Sequence, residues 1–309
     1  MSNDDFFDNI NQLADLDQEY IALTPLMGDI FIDKHFSDKI DFLERHPKIK
    51  GYEFITNLIT ASEDALSQLS NAKKLTRMTI SFYGHSLASF RKVTNRPASQ
   101  YHRLIKNVNY LASISDKFQA KLAGCIKTDQ KFNWTPHDKP GADENDLQRS
   151  VRKLAQQNGD FYWSGNEGDL DSWSGRITQA DMDELDMGFK IVGPSVPMIG
   201  PCALLFAGPV IMADGRVNAC ACRAEKGLII GDVKKSPLYE ILSPENPLFE
   251  DLLARHKKND YPKECINCKI FMSIYRKPHK RSTITTDEYL DERRGQCERA
   301  RLKSHMNKS

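Results

Sequence analysis

The placing of the seven cysteines constrains this chain more than any other feature. Cys125 and Cys297 stand alone, while Cys202, Cys220, Cys222, Cys265 and Cys268 share one stretch of 67 residues. Seven is an odd number, and Met1-Ser2-Asn3-Asp4-Asp5 is acidic where a secretory leader would be basic and then apolar. The expected location is the cytoplasm, where a disulfide framework does not persist and gathered thiols are read as metal ligands or catalytic groups. Cys265-Ile266-Asn267-Cys268 clamps one metal ion or one edge of a cluster, because two thiolates converge from a single tight turn; Cys202 and Cys220 supply the two further sulfurs that close a site. Buried free thiols would not gather so densely. A redox Cys-x2-Cys pair would sit between a strand and a helix rather than after Asp260-Tyr261-Pro262-Lys263-Glu264. Four sulfurs suit zinc and an iron–sulfur cluster alike.

The cysteine stretch also carries a hairpin pattern. Pro209 to Cys220 reads as two short strands around Asp214-Gly215 as a two-residue turn, and alternation then sets Cys220 and Cys222 on one side of the returning strand. Residues 1 to 165 read differently, as apolar runs rich in aromatic or β-branched residues alternating with helical patterns, the signature of βα units and a parallel sheet. A helix opens the chain with Ser2 and Asn3 as capping candidates. Strands are predicted at 20–24, 52–56, 77–81 and 118–126, with a fifth at 160–163, and helices between them carry Phe36, Ile40 and Leu43, then Tyr101, Leu104, Val108 and Leu111. The polar run Asn133 to Asn145 is predicted to be an exposed loop, and Lys277 to Ser309 a solvated helix and tail.

Composition closes off other classes. Hydrophobic residues make up 40% of the chain and 43 Lys+Arg balance 42 Asp+Glu, which excludes a disordered chain and the basic field of a nucleic-acid binder. No apolar run is long enough for a membrane span. Phosphate-loop, dinucleotide-binding, zinc-protease and serine-hydrolase motifs are missing, and His35, His46, His85 and His102 form no ligand-spaced pair, so they read as surface or core residues. Tyr162, Trp163 and Trp173 line a substrate face or pack against a second domain. Polar groups at strand ends matter most in βα proteins, since that edge builds the site. Three places qualify: Thr24 to Asp29, Thr56-Asn57, and Ser81 to Gly84.

The order of these features resembles the radical S-adenosylmethionine (SAM) enzymes that carry a SPASM or twitch-type auxiliary-cluster domain, over roughly residues 1 to 276. Met27-Gly28-Asp29 falls where the family has a Gly-Gly-Glu-like motif holding the SAM amino group, with Met in place of the first glycine and an Asp one methylene shorter than Glu. Thr56-Asn57 and Ile80-Ser81-x-x-Gly84 match the next two strand ends, the serine position commonly facing the SAM ribose. Cys202, Gly215, Cys220, Cys265 and Cys268 fit the auxiliary motif, so the resemblance implies one [4Fe–4S] cluster, with Cys222 a spare thiol or substitute ligand. The implied architecture is α/β: a partial (β/α)6-type barrel lacking its first strand over 1–198, a small α+β SPASM/twitch-like domain over 199–276, and a charged C-terminal helix and tail over 277–309.

The departure from the family is at the start. Its catalytic cluster sits in a Cys-x3-Cys-x2-Cys loop before the Gly-Gly-Glu position, and here no cysteine precedes Cys125. Met1 is therefore read as an internal methionine of a longer frame, with a degenerate homologue as the alternative. An intact relative cleaves SAM to a 5′-deoxyadenosyl radical that abstracts substrate hydrogen; residues 1–309 are expected to be incompetent for that step. The family implies a small-molecule, sugar, nucleotide or peptide substrate and an electron donor such as flavodoxin or ferredoxin. The rival reading is a non-catalytic module in which a degenerate barrel binds a partner and the thiols hold structural zinc or a cluster.

Overall fold

The computed structural model describes residues 1–23, 28–130, 132–166, 169–172, 176–194, 197–220, 226–266, 268–275 and 286–306. Met27, Trp173 and Cys222 lie outside them. The chain divides into an α/β unit of residues 19–169 and 179–190 and a second unit of residues 1–18, 170–178 and 191–309. Helix α1 (Asn3–Asp15) opens the second unit, and Ser2 caps it as expected, its hydroxyl accepting from the Asp5 N–H at 3.1 Å.

In the α/β unit, β1 (Tyr20–Ala22), β2 (Gly51–Thr56), β3 (Leu75–Tyr83), β4 (Lys121–Lys127) and β5 (Tyr162–Asn166) form one parallel sheet in the order β1-β2-β3-β4-β5. The crossovers contain α2 (Phe36–Arg45), α3 (Glu63–Ser70), α4 (Leu87–Thr94) with α5 (Ala98–Ile114), and α6 (Asp146–Gln157); α7 (Gln179–Glu184) follows. Spatial order equals chain order, so right-handed crossovers never reverse direction and every helix falls on the same face. That is the winding of a barrel, whereas a doubly wound sheet needs a reversal.

Register sorts the strand residues by face. Tyr52, Phe54 and Thr56 share a face with Met78, Ile80 and Phe82 and with Leu122 and Ile126. All are buried, together with the helical stripes Leu66/Leu69, Leu104/Val108/Leu111 and Leu147/Val151/Leu154. At about 1.5–3 kcal/mol for each large apolar side chain, this layer dominates the unit's stability. The opposite face carries Tyr20, Ile55 and Tyr162, exposed by 66%, 43% and 65%, beside Arg77, Thr79, Ser81 and Cys125.

The predicted exposed loop after β4 is exposed at Asn133 and over residues 137–143, and buried or half-buried at 134–136 and 144–145. Its two ends are tied by Arg152 of α6, buried at 6%, which donates to both Glu144 carboxylate oxygens and to the carbonyls of Pro136 and Asp138. Trp134 Nε1 donates to Glu144 as well, at 3.2 Å.

The second unit contains α8 (Leu204–Ala207), an antiparallel sheet of β6 (Val210–Ile211), β7 (Arg216–Asn218) and β8 (Ile229–Asp232) in the order β8-β7-β6, then α9 (Leu238–Ile241), α10 (Pro247–Lys257) and α11 (Thr286–Met306). The hairpin forms where predicted, but its turn is longer. Met212 N–H donates to Arg216 O at 2.8 Å and Gly215 N–H to Met212 O at 3.0 Å, leaving three residues between the paired ends. Gly215, at φ +99°, supplies the left-handed residue that a three-residue hairpin loop requires. The solvated reading of the C-terminal helix is also corrected. Leu290, Cys297 and Ala300 of α11 are buried in the same core cluster as Leu16 and Leu238, and Arg299 pairs with Asp17 at 2.9 Å. The low hydropathy of α11 hid this narrow stripe. Among the described residues no helix is long and apolar enough to cross a membrane.

Candidate functional site

Three separate backbone segments deliver the cysteines. An antiparallel bridge between Cys202 and Ser273, flanked by Ala203 N–H to Met272 O (2.7 Å) and Ile274 N–H to Pro201 O (3.0 Å), lays Cys202 along the strand that leaves the Cys-x2-Cys turn. In that turn Cys268 N–H donates to Cys265 O at 3.1 Å. Cys220 follows β7, where Asn218 Nδ2 holds its carbonyl at 2.6 Å. Cys202, Cys220 and Cys268 are buried in one apolar cluster with Leu205, Val217, Leu228 and Phe271, and half-buried Cys265 packs against it.

Burial pushes the Cys265 thiol up to about 12, and the Cys220, Cys268 and Cys202 sulfurs push it the same way. Cys202 is raised by burial too, against the Met272 and Leu204 N–H groups that favour its thiolate. The four described thiols are thus electrostatic neighbours. Among the described residues, however, no three His, Cys, Asp or Glu side chains are close enough to hold one metal ion. Sequence reasoning passed over His256 of α10, fully buried with Nε2 3.8 Å from Cys265 Sγ.

At the strand ends, Asp29, Thr56 and Asn57 meet. Asp29 is 6% exposed; its Oδ2 accepts from Thr56 Oγ1 and from the Asn57 N–H, both at 2.7 Å, and its Oδ1 accepts from the Phe31 N–H at 3.1 Å. Gly28 precedes it at φ +90°. Thr56 Oγ1 in turn accepts from the Leu58 N–H at 2.9 Å. Leu58 lies in the left-handed region (φ +62°) while fully buried, a conformation that costs about 1–2 kcal/mol in a residue with a Cβ. Asn107 of α5 offsets this cost, donating to the carbonyls of Leu58 (2.7 Å) and Ala61 (3.0 Å). Ser81 belongs elsewhere. Thr56 pairs with Ile80, so Ser81 leaves the opposite face, where its hydroxyl lies 3.6 Å from the sulfur of its register partner Cys125.

A second polar group at the same sheet edge also escaped sequence reasoning. His85, which follows β3, has Nδ1 2.6 Å from Thr128 Oγ1 and stacks on Phe132 with centroids 4.7 Å apart. Ser89 Oγ lies 2.9 Å from Thr128 Oγ1 and donates to Asp129. Burial opposes the charge of Asp129, yet hydrogen bonds from Ser89 and Thr128 and the nearby His85 hold its carboxyl below the usual range; burial lowers His85. His85 and Ser89 stand 39 to 44 positions before Thr128 and Asp129, and only the β3/β4 register brings them together. The one available signal was that both segments directly follow predicted strands.

Comparison with known proteins addresses the two units in turn. The family model described as the SPASM iron-sulfur cluster-binding domain matches residues 202–269. No curated protein matches the chain. Among solved structures, the chain is similar to Streptococcus suis SuiB bound to S-adenosylmethionine (TM-score 0.50, 13% identity, covering 80% of this chain and 59% of that one). SuiB bound to precursor peptide SuiA gives a TM-score of 0.50 at 13% identity, covering 80% and 58%. BtrN in complex with AdoMet and 2-DOIA gives 0.49 at 12% identity, covering 87% and 80%. The chain therefore spans less than two thirds of SuiB. Residues 202–269 therefore match an iron–sulfur cluster-binding domain, and the parallel sheet shares the α/β fold of SuiB.

Proposed function

We propose that Cys202, Cys220, Cys265 and Cys268 hold one auxiliary [4Fe–4S] cluster, with Cys222 as a substitute or spare thiol, in a cytoplasmic protein of domains 1–198, 199–276 and 277–309. The observation that carries this reading is the convergence of three backbone segments on one buried, mutually interacting set of thiols. Their spacing favours a cluster over zinc. The family model that this cysteine spacing matches, over residues 202–269, is that of an iron–sulfur cluster-binding domain. When bound, such a cluster supplies substrate anchoring or one-electron transfer. The protein's part is to bury the sulfurs, fix Cys220 through Asn218 and close the Cys265–Cys268 turn.

Gly28, Asp29, Thr56 and Asn57 are proposed to meet SAM at the strand ends, and Ser81 to meet its ribose from the opposite face of the sheet. A carboxylate offers about four acceptor positions, and the chain itself fills three of those on Asp29, which leaves one for an ammonium donor. The substrate is proposed to be a peptide, sugar or other small molecule, with flavodoxin or ferredoxin as donor. Reductive cleavage of SAM is not expected of residues 1–309, because no cysteine precedes Cys125, and Cys125 is buried against Ser81.

Anaerobic purification with iron, sulfide and zinc analysis tests the assignment. About four iron and four sulfide per chain are expected. A colourless protein with one zinc and no iron overturns it. Formation of 5′-deoxyadenosine from SAM and dithionite would overturn the inactivity.

A further inference from the structure

Helix α10 buries Phe249, Leu252 and Leu253 beside the cysteines, and in its last turn it buries a histidine instead. His256 has no exposed surface. Its Nε2 lies 3.8 Å from Cys265 Sγ, and Tyr261 meets its ring edge-on with centroids 4.9 Å apart. Its Nδ1 is buried with no hydrogen-bond partner among the described residues. An imidazole with one idle nitrogen is a poor filler for an apolar core, where leucine would leave nothing unsatisfied. The nitrogen that does have a neighbour faces a sulfur.

The geometry points to His256 as a positioning residue that donates its Nε2–H to the Cys265 thiolate of the loaded centre and thereby stabilises the reduced cluster. The inference rests on the cluster reading above. Without a cluster, either the Cys265 S–H or the His256 Nε2–H can be the donor of this contact. With the thiolate formed, the sulfur becomes the acceptor and the proton belongs on Nε2, since Nδ1 has no acceptor to favour it. Reduction adds an electron whose charge spreads onto the sulfurs, so an N–H aimed at one of them stabilises the reduced form more than the oxidised form. Outer hydrogen bonds to ligating groups tune metal centres in this way.

The test uses the full chain, reconstituted anaerobically, as wild type, His256→Phe and His256→Gln. Phe keeps an apolar ring and removes the donor; Gln keeps an N–H within reach. Redox titration followed by electron paramagnetic resonance (EPR) should show His256→Phe reduced about tenfold less favourably, a midpoint about 59 mV more negative for a one-electron couple, with His256→Gln restored towards wild type. Equal midpoints for wild type and His256→Phe would overturn the inference. Should His256→Phe fail to fold, pulsed EPR of wild type labelled with [15N]histidine decides. A weak nitrogen coupling supports the hydrogen bond, no coupling removes it, and a strong coupling makes His256 a ligand and overturns its role as donor. A wild-type chain that takes up no iron or sulfide refutes the cluster reading itself, and this inference with it.

Discussion

Replacing Asp29 by Asn should destabilise the α/β unit even when no SAM is present. The change is isosteric, so it asks only whether the carboxylate is needed. Oδ2 accepts from two donors, Thr56 Oγ1 and the Asn57 N–H, and Oδ1 from a third, the Phe31 N–H. An amide has one acceptor oxygen and one donor nitrogen. In one orientation its NH2 confronts the Asn57 N–H; in the other it confronts the Phe31 N–H, and no rotation satisfies all three. The milder orientation loses one charge-assisted hydrogen bond, worth about 1.5–3 kcal/mol, and turns two others into neutral ones, for a total of about 3 kcal/mol. In a unit of this size that corresponds to a melting midpoint lower by roughly 6–12 °C. Differential scanning fluorimetry of the SAM-free protein measures it. A midpoint within about 2 °C of wild type would show that Asp29 braces nothing and would return it to a purely ligand-facing role.

Arg152→Met should destabilise by about 3 kcal/mol, the low end for breaking a buried pair because the loop end can admit water; urea unfolding followed by tryptophan fluorescence near Trp134 reports it, and an unchanged midpoint would remove the clamp. The Arg152 hydrogen bond holds the Glu144 carboxyl below its ordinary 4.5, so its contribution is complete above that value and disappears as pH falls through the lower folded-state value. The stability gap between wild type and Glu144→Gln should therefore close on acidification below about pH 4.5 and stay constant above it. Gly84→Ala should abolish soluble expression, since φ is +76° and a Cβ would lie 2.2 Å from the Phe90 backbone nitrogen, whereas Gly141→Ala, with nothing within 4 Å, should be silent.

What could be read from the sequence was whatever repeats locally. The five strands, the long helix carrying Tyr101 to Leu111 and the hairpin around Gly215 each announce themselves within about ten residues, and five cysteines in one segment do the same for the cluster-binding domain. Features made by pairing distant segments gave no such signal. Asp29 and Thr56 are separate strand-end residues until β1 and β2 align, and His256 looks like one more helical residue until the Cys-x2-Cys turn folds against it. The clamp from Arg152 to Pro136 was unreadable for the same reason, and composition misled for α11 because its buried stripe is only a few residues wide. Thr56 and Ser81, alike as polar strand ends, separate onto different faces only when the β2/β3 register is known.

The amide of Asn107 reaches back to carbonyls 46 and 49 residues earlier in the chain. A nascent polypeptide that has emerged only as far as β3 can offer those carbonyls nothing but water, and only Thr56 Oγ1 braces Leu58 in its left-handed turn. The bend after β2 must therefore wait for α5 to be synthesised and to dock, which makes the order of translation part of how this strand end acquires its shape.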